Sequence, residues 1–174
     1  MPYDPDQHHR KSIRLPQFDY TTSGAYFVTI CVEGRACLLG QVTDGVTDLS
    51  PAGKAVEKVW HSMSERFPDV KPDWYVIMPN HVHGIVLIDA IGTAADQRQE
   101  HSSVSLAAVM RAFKSISARE ANRLLGIEGK RFWQRDYYER VIRDEGELLH
   151  LRTYIANNPF DWYEDEHNPM RRQN

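Results

Sequence analysis

The longest uninterrupted apolar runs in this chain, Trp74–Met78 and Leu106–Met110, have five residues each, far short of the roughly 18 to 20 residues that a membrane span needs. A helical membrane protein is therefore excluded from the expectations. The first twelve residues, MPYDPDQHHRKS, are polar where a secretory signal would be apolar, so the chain is expected in the cytoplasm. Cysteine is scarce. Cys31 and Cys37 could face each other across a hairpin, but a reducing compartment and the lack of metal-type spacing point to free thiols. Positive charge is also short overall, with 21 Lys and Arg against 24 Asp and Glu and a formal charge of -3. That balance argues against indiscriminate coating of DNA, which depends on releasing counterions from phosphates. There is no Gly-rich phosphate-binding loop.

What is present is a hydrophobic content of 41% in 174 residues, enough for one core and one domain spanning 1–174. Charge is unevenly placed. Nine basic residues (Arg111, Lys114, Arg119, Arg123, Lys130, Arg131, Arg135, Arg140 and Arg143) face only Glu120, Glu128, Asp136 and Glu139 over the same stretch. Acid collects at Asp161, Glu164, Asp165 and Glu166 in a tail spanning 160–174. The basic segment suits nucleic acid, although a solvated helix face would look the same.

The pattern of elements predicts an α+β fold. Tyr26 to Val32 alternates as a strand, turns at Glu33-Gly34-Arg35, and is expected to return through Cys37-Leu38-Leu39. Ser50-Pro51 starts a helix whose apolar positions, Val56, Val59, Trp60, Met63 and Phe67, run to Pro68. Trp74–Met78 and Val82–Ile88 read as strands joined at Pro79-Asn80. Segment 91–103 is small and polar, a candidate mobile loop. Leu106, Val109, Met110, Phe113, Ile116 and Leu124 mark a second helix stopped by Gly126. Tyr137–Ile142 is a last strand, and Asp144 with Glu147 forms a capping box for a final helix carrying Leu148, Leu151 and Ile155. Short connections favour hairpins over parallel crossovers, hence an antiparallel sheet with helices on one face and the other face or an edge left for ligands.

His81 and His83 flank Val82 where a strand begins, so both imidazoles project to one face and can share an ion. Histidine pairs this close also merely cap strands or bond to backbone. Tyr154 lies beside the apolar stripe of the last helix, four residues before Asn158, on the same helix face. A phenol and an amide oxygen could approach that ion together. Equally, a boundary tyrosine often packs its ring and wets its hydroxyl, and an asparagine before proline often ends a helix.

Six stretches carry a resemblance to a known family. They are Arg10-Lys11-Ser12-Ile13-Arg14 with Gly24–Ile30, Val76–Ile85 (VIMPNHVHGI), Arg111–Ser115 (RAFKS), Phe132-Trp133-Gln134, and Tyr154–Pro159 (YIANNP). Together they resemble, in order and over nearly the whole chain, the REP-associated tyrosine transposases, single-tyrosine members of the His-hydrophobic-His endonucleases. The resemblance implies a ferredoxin-like sheet bearing the histidines, with the nucleophilic tyrosine on the C-terminal helix. It places the metal ligands on His81, His83 and Asn158 and the nucleophile on Tyr154, with Mg2+ or Mn2+ as cofactor. Two imidazoles would also suit zinc by affinity.

The implied reaction cleaves single-stranded DNA through a 5′-phosphotyrosine link and rejoins it without ATP, at hairpin-forming repeats near the nucleoid. Candidate DNA contacts are Arg10, Lys11 and Arg14 in a basic arm (1–24), Arg111 and Lys114, and Arg131, Trp133 and Arg135. Among the latter, Phe132, Trp133, Tyr137 and Tyr138 interleave with arginines as stacking platforms, half of them expected in the core. The chain would act as a monomer or homodimer. Two rivals are a domesticated hairpin-DNA-binding protein that no longer cuts, and a metal hydrolase using water, which would leave Tyr154 idle.

Overall fold

The computed structural model describes residues 23–89 and 104–171. The basic arm with Arg10, Lys11 and Arg14, and the segment 91–103, lie outside these described residues. Among them no helix is long and apolar enough to cross a membrane.

Strands β1 (Gly24–Cys31), β4 (Val70–Ile77), β5 (His81–Ile88) and β6 (Tyr138–Ile142) form one sheet in the order β4-β5-β1-β6. Every pairing is antiparallel, with Thr29 opposite His83 and Cys31 opposite His81. Helix α1 (Pro51–His61) and the one-turn helix α2 (Met63–Arg66) separate β1 from β4, and α3 (Leu106–Leu125) separates β5 from β6. This β-α-β-β-α-β succession with the late strands flanking β1 is the ferredoxin-like arrangement. Helix α4 (Glu145–Asn157) follows β6.

The expected return of β1 through Cys37–Leu39 is corrected. β1 is hydrogen-bonded on both edges, to β5 and β6, so the following chain cannot pair with it. It instead forms a separate ribbon of β2 (Gly40–Thr43) and β3 (Val46–Leu49). Its turn is Asp44-Gly45, both at positive φ (51° and 73°), the backbone that a two-residue hairpin requires. The first helix also stops earlier than Pro68 suggested, because Ser62 turns its hydroxyl back onto the Val59 carbonyl at 3.0 Å. The two predicted helix starts hold. Ser50 accepts from the Gly53 amide, and Asp144 from the Glu147 amide at 2.8 Å.

The two faces of the sheet are built differently. Tyr26, Val28 and Ile30 of β1, with Val82 and Val86 of β5, meet Trp60 of α1 and Met110 and Phe113 of α3 in the main core. The Trp60 and Phe113 rings stand edge to face with centroids 5.5 Å apart. Gly84 admits this packing, since a β-carbon there would come 2.2 Å from Trp60. Helix α4 does not share that face. Leu151 and Ile155 rest with Phe27 and Ile85 in a second, smaller cluster on the opposite side, and Arg152 anchors the helix to Asp73 of β4 at 2.8 Å. Among the described residues α4 covers only part of this second face, and β1 with β6 floors an open groove.

Candidate active site

Alternation along β5 sends Val82, Gly84 and Val86 into the main core and His81 and His83 toward α4. Both imidazoles are buried, at 0% and 2% exposure, and their Nε2 atoms lie 3.1 Å apart. The outer nitrogens are engaged as well. His81 Nδ1 faces Asn80 Oδ1 at 2.9 Å, and His83 Nδ1 faces Thr29 Oγ1 at 2.8 Å. A hydroxyl can donate or accept, so Thr29 suits either tautomer of His83. Burial lowers the pKa of His81 well below the usual histidine value, helped by the nearby His83 and His167. Burial, then His167, pushes His83 down to about 3. Both rings are therefore neutral at physiological pH, the state in which imidazole binds a metal.

The C-terminal segment completes the cluster. After α4 the chain turns through Phe160 and Trp162 and crosses the histidines. The Trp162 ring lies 6.1 Å from His81 and the His167 ring 4.6 Å from it. Asp165 carries a side chain only 5% exposed, with Oδ2 3.8 Å from His81 Nε2. Ligand atoms of His81, His83 and Asp165 lie within 4.8 Å of one another, a buried group that could hold a metal ion. Two imidazoles and a carboxylate suit several divalent cations, so the donor set alone does not choose among them.

Tyr154 and Asn158 both reach this place from α4. The Tyr154 hydroxyl sits 3.4 Å from His83 Nε2 while the residue remains 42% exposed. Burial raises its pKa above the usual phenol value, the Asp165 carboxylate raises it further, and the Asn158 amide opposes them. Asn158 is 3% exposed, and its Oδ1 is buried without a hydrogen-bond partner among the described residues. An acceptor buried in this way beside neutral imidazoles suits a cation as its partner. Asn158 also keeps helical backbone (φ -53°, ψ -39°) ahead of Pro159, so the proline does not turn it away from the site.

A groove of about 470 Å³ leads from Tyr154 and His83 across Phe27, Thr29, Tyr138 and Arg140. Of the proposed DNA contacts, Arg111, Arg131 and Arg135 are exposed, although Arg131 stands 3.9 Å from Glu33. Lys114 spends two of its three donors on the Gln134 and Arg135 carbonyls, at 2.7 and 2.8 Å, tying α3 to the segment that leads into β6. Trp133 is corrected. It is 4% exposed and donates from Nε1 to Ser117 Oγ at 2.9 Å, so its ring is core and offers no stacking face. Phe132 is buried too, whereas Tyr138 is 44% exposed and lines the groove.

Four residues of the cluster escaped the sequence reading: Thr29, Asn80, Asp165 and His167. Thr29 is revealed only by the β1–β5 register. Asn80 is legible as a turn residue beside His81, whereas Asp165 and His167 have the look of an acidic tail.

No family model matches the chain. A protein of Haemophilus influenzae, itself uncharacterised, is 35% identical over 177 residues, covering 94% of this chain and 96% of that one. Among solved structures, a REP-associated tyrosine transposase bound to a REP hairpin superposes with a TM-score of 0.60 and 17% identity over 86% of this chain and 74% of that one. The chain belongs to the same family as the Haemophilus influenzae protein, and its fold is that of the REP-associated tyrosine transposase.

Proposed function

We propose that this protein is a metal-dependent single-stranded DNA endonuclease and strand transferase that cuts hairpin-forming, REP-type DNA through Tyr154. One observation carries the proposal: the Tyr154 hydroxyl lies 3.4 Å from Nε2 of a histidine that belongs to a buried His-His-Asp group. The fold likeness to a transposase bound to a REP hairpin supports the substrate class. A water-using hydrolase would not need a half-exposed tyrosine at that position.

The roles follow from the proton affinities. His83, held near 3, is too weak a base to take a phenolic proton, so it serves as a ligand. His81 and one of the oxygen groups, Asn158 or Asp165, complete the holder. A bound Mg2+ or Mn2+ would draw charge from a nonbridging oxygen of the scissile phosphate and favour the phenolate. Tyr154 attacks phosphorus, its oxygen-phosphorus bond forming as the bond to the 3′-oxygen breaks. The products are a 5′-phosphotyrosine and a free 3′-hydroxyl, and a second DNA end can reverse the step because the bond energy is conserved. The groove beyond Tyr154, with Tyr138 and Arg140 on its floor, offers one stacking face and, from an Arg140 that also pairs with Glu147, one cation to the strand.

Labelled single-stranded hairpin oligonucleotides incubated with Mn2+ or Mg2+ and resolved on a denaturing gel test this reading. Metal-dependent cleavage that is lost in His81→Ala is expected. Cleavage that ignores both chelator and His81→Ala would refute it, and tight binding without any cleavage would favour a hairpin-binding protein.

A further inference from the structure

Asn80 is fully buried in the three-residue connection between β4 and β5, and its carbonyl and both polar ends of its side chain are engaged. Its carbonyl accepts from the Val32 amide at 2.8 Å. Its side-chain nitrogen donates to two carbonyls, Arg35 at 2.9 Å and His167 at 2.7 Å. Two acceptors exhaust the two N–H groups of an amide, and they fix which way the amide points. Oδ1 must then face His81 Nδ1, 2.9 Å away, and it can only accept. His81 is thereby held with its proton on Nδ1 and its lone pair on Nε2, aimed at His83 and Asp165.

The same amide grips the other side of the cluster. The His167 carbonyl it holds belongs to a residue whose amide donates to Asp165 Oδ1 at 2.6 Å, leaving Asp165 Oδ2 toward His81 Nε2. Arg35 adds a second tie, donating to the Glu166 carbonyl at 2.6 Å. From these contacts we infer that Asn80 is a positioning residue. It selects the metal-binding tautomer of His81 and latches the C-terminal segment so that Asp165 stands over the histidine pair. Metal binding and docking of residues 160–171 are then coupled: whatever releases the segment removes the carboxylate, and a cation held by all three groups retains it. The inference rests on the metal reading proposed above, but its tautomer half stands without a metal.

Two substitutions separate the two roles. In Asn80→Asp the side chain still accepts from His81 Nδ1 but has no donor for the Arg35 and His167 carbonyls. In Asn80→Ala both functions are gone. Nitrogen-15 NMR of the metal-free full chain reads the His81 tautomer, hydrogen exchange reads the docking of 160–171, and titration with Mn2+ monitored by electron paramagnetic resonance reads affinity. Wild type and Asn80→Asp are expected to show the Nδ1–H tautomer, and Asn80→Ala a mixture of tautomers. Exchange across 160–171 should quicken at least tenfold in both variants. Manganese affinity should fall about 10- to 100-fold in Asn80→Ala, the range typical of groups that orient metal ligands, and less in Asn80→Asp.

A His81 that carries its proton on Nε2 in the wild type would overturn the inference, as would Asn80→Ala with unchanged tautomer, exchange and affinity. If the wild type binds no Mn2+ while the tautomer and exchange results hold, the metal reading fails and the positioning role survives. Should Asn80→Ala not fold, the wild-type tautomer and the exchange of Asn80→Asp still decide.

Discussion

One strand serves two faces of this sheet, and the faces ask opposite things of it. On the α1/α3 side, Val82, Gly84 and Val86 of β5 close against Trp60 and Phe113 in a core of apolar side chains and aromatic rings. On the α4 side, two residues of the same strand hold buried neutral imidazoles among Tyr154, Asn158 and Asp165. The closed face makes the strand rigid, and the rigid strand lets the open face keep costly buried polar groups in place. Stability and chemistry should therefore separate by face, and substitutions can break or sharpen that separation.

The largest effect is expected from Trp133→Ala on the closed side. It should cost about 3 to 5 kcal/mol of stability in chemical denaturation, while Trp133→Phe, which stays folded, should bind hairpin DNA as the wild type does. Weaker DNA binding by the folded Phe variant would return Trp133 to the nucleic-acid surface. Gly84→Ala should come next, at about 3 kcal/mol, because its methyl meets Trp60 and must force the helix away. A shift of the denaturation midpoint near zero would show that α1 does not press on β5 behind the histidines.

The open face should register in pH. Below the ordinary histidine value of 6.5 the unfolded chain takes up protons that the buried rings refuse, His83 down to about 3 and His81 to well below its usual value, so acid favours unfolding. Each ring should cost the metal-free protein up to about 1.4 kcal/mol per pH unit as pH falls through that window. His83→Gln should flatten the slope, and an equally steep profile in that variant would contradict the buried-neutral state. The smallest effect is assigned to Arg135, exposed beyond the groove. Arg135→Ala should weaken hairpin binding a few-fold and lower the salt dependence by about one counterion. An unchanged salt slope would remove Arg135 from the phosphate path.

Much of this architecture could be read from local pattern. The alternation around His81 and His83, the Ser50 and Asp144 caps and the stop at Gly126 are all short-range signals, and each holds in the structure. What escaped depends on pairing between distant segments. β1 is paired along both edges, by strands more than fifty and more than a hundred residues later, which local pattern cannot reveal, and the apparent hairpin return was wrong for that reason. Asp44-Gly45 does carry a usable turn signal, but a return through Cys37–Leu39 leaves that pair no strand to join. Asp165 and His167 sit in a segment whose composition reads as a solvated tail, yet it is folded against the histidines by carbonyl contacts that leave no mark in residue type. Trp133 was misplaced because an aromatic among arginines looks the same in sequence whether its ring faces a strand of DNA or a core hydroxyl.

Tyr154 is the residue on which covalent chemistry should leave its mark. Wild-type protein incubated with Mn2+ and a single-stranded hairpin oligonucleotide, then digested and examined by mass spectrometry, should yield one peptide carrying a nucleotide phosphate on Tyr154, absent from a Tyr154→Phe variant of unchanged stability. Cleavage that persists in Tyr154→Phe, or a phosphate found on another tyrosine, would contradict it.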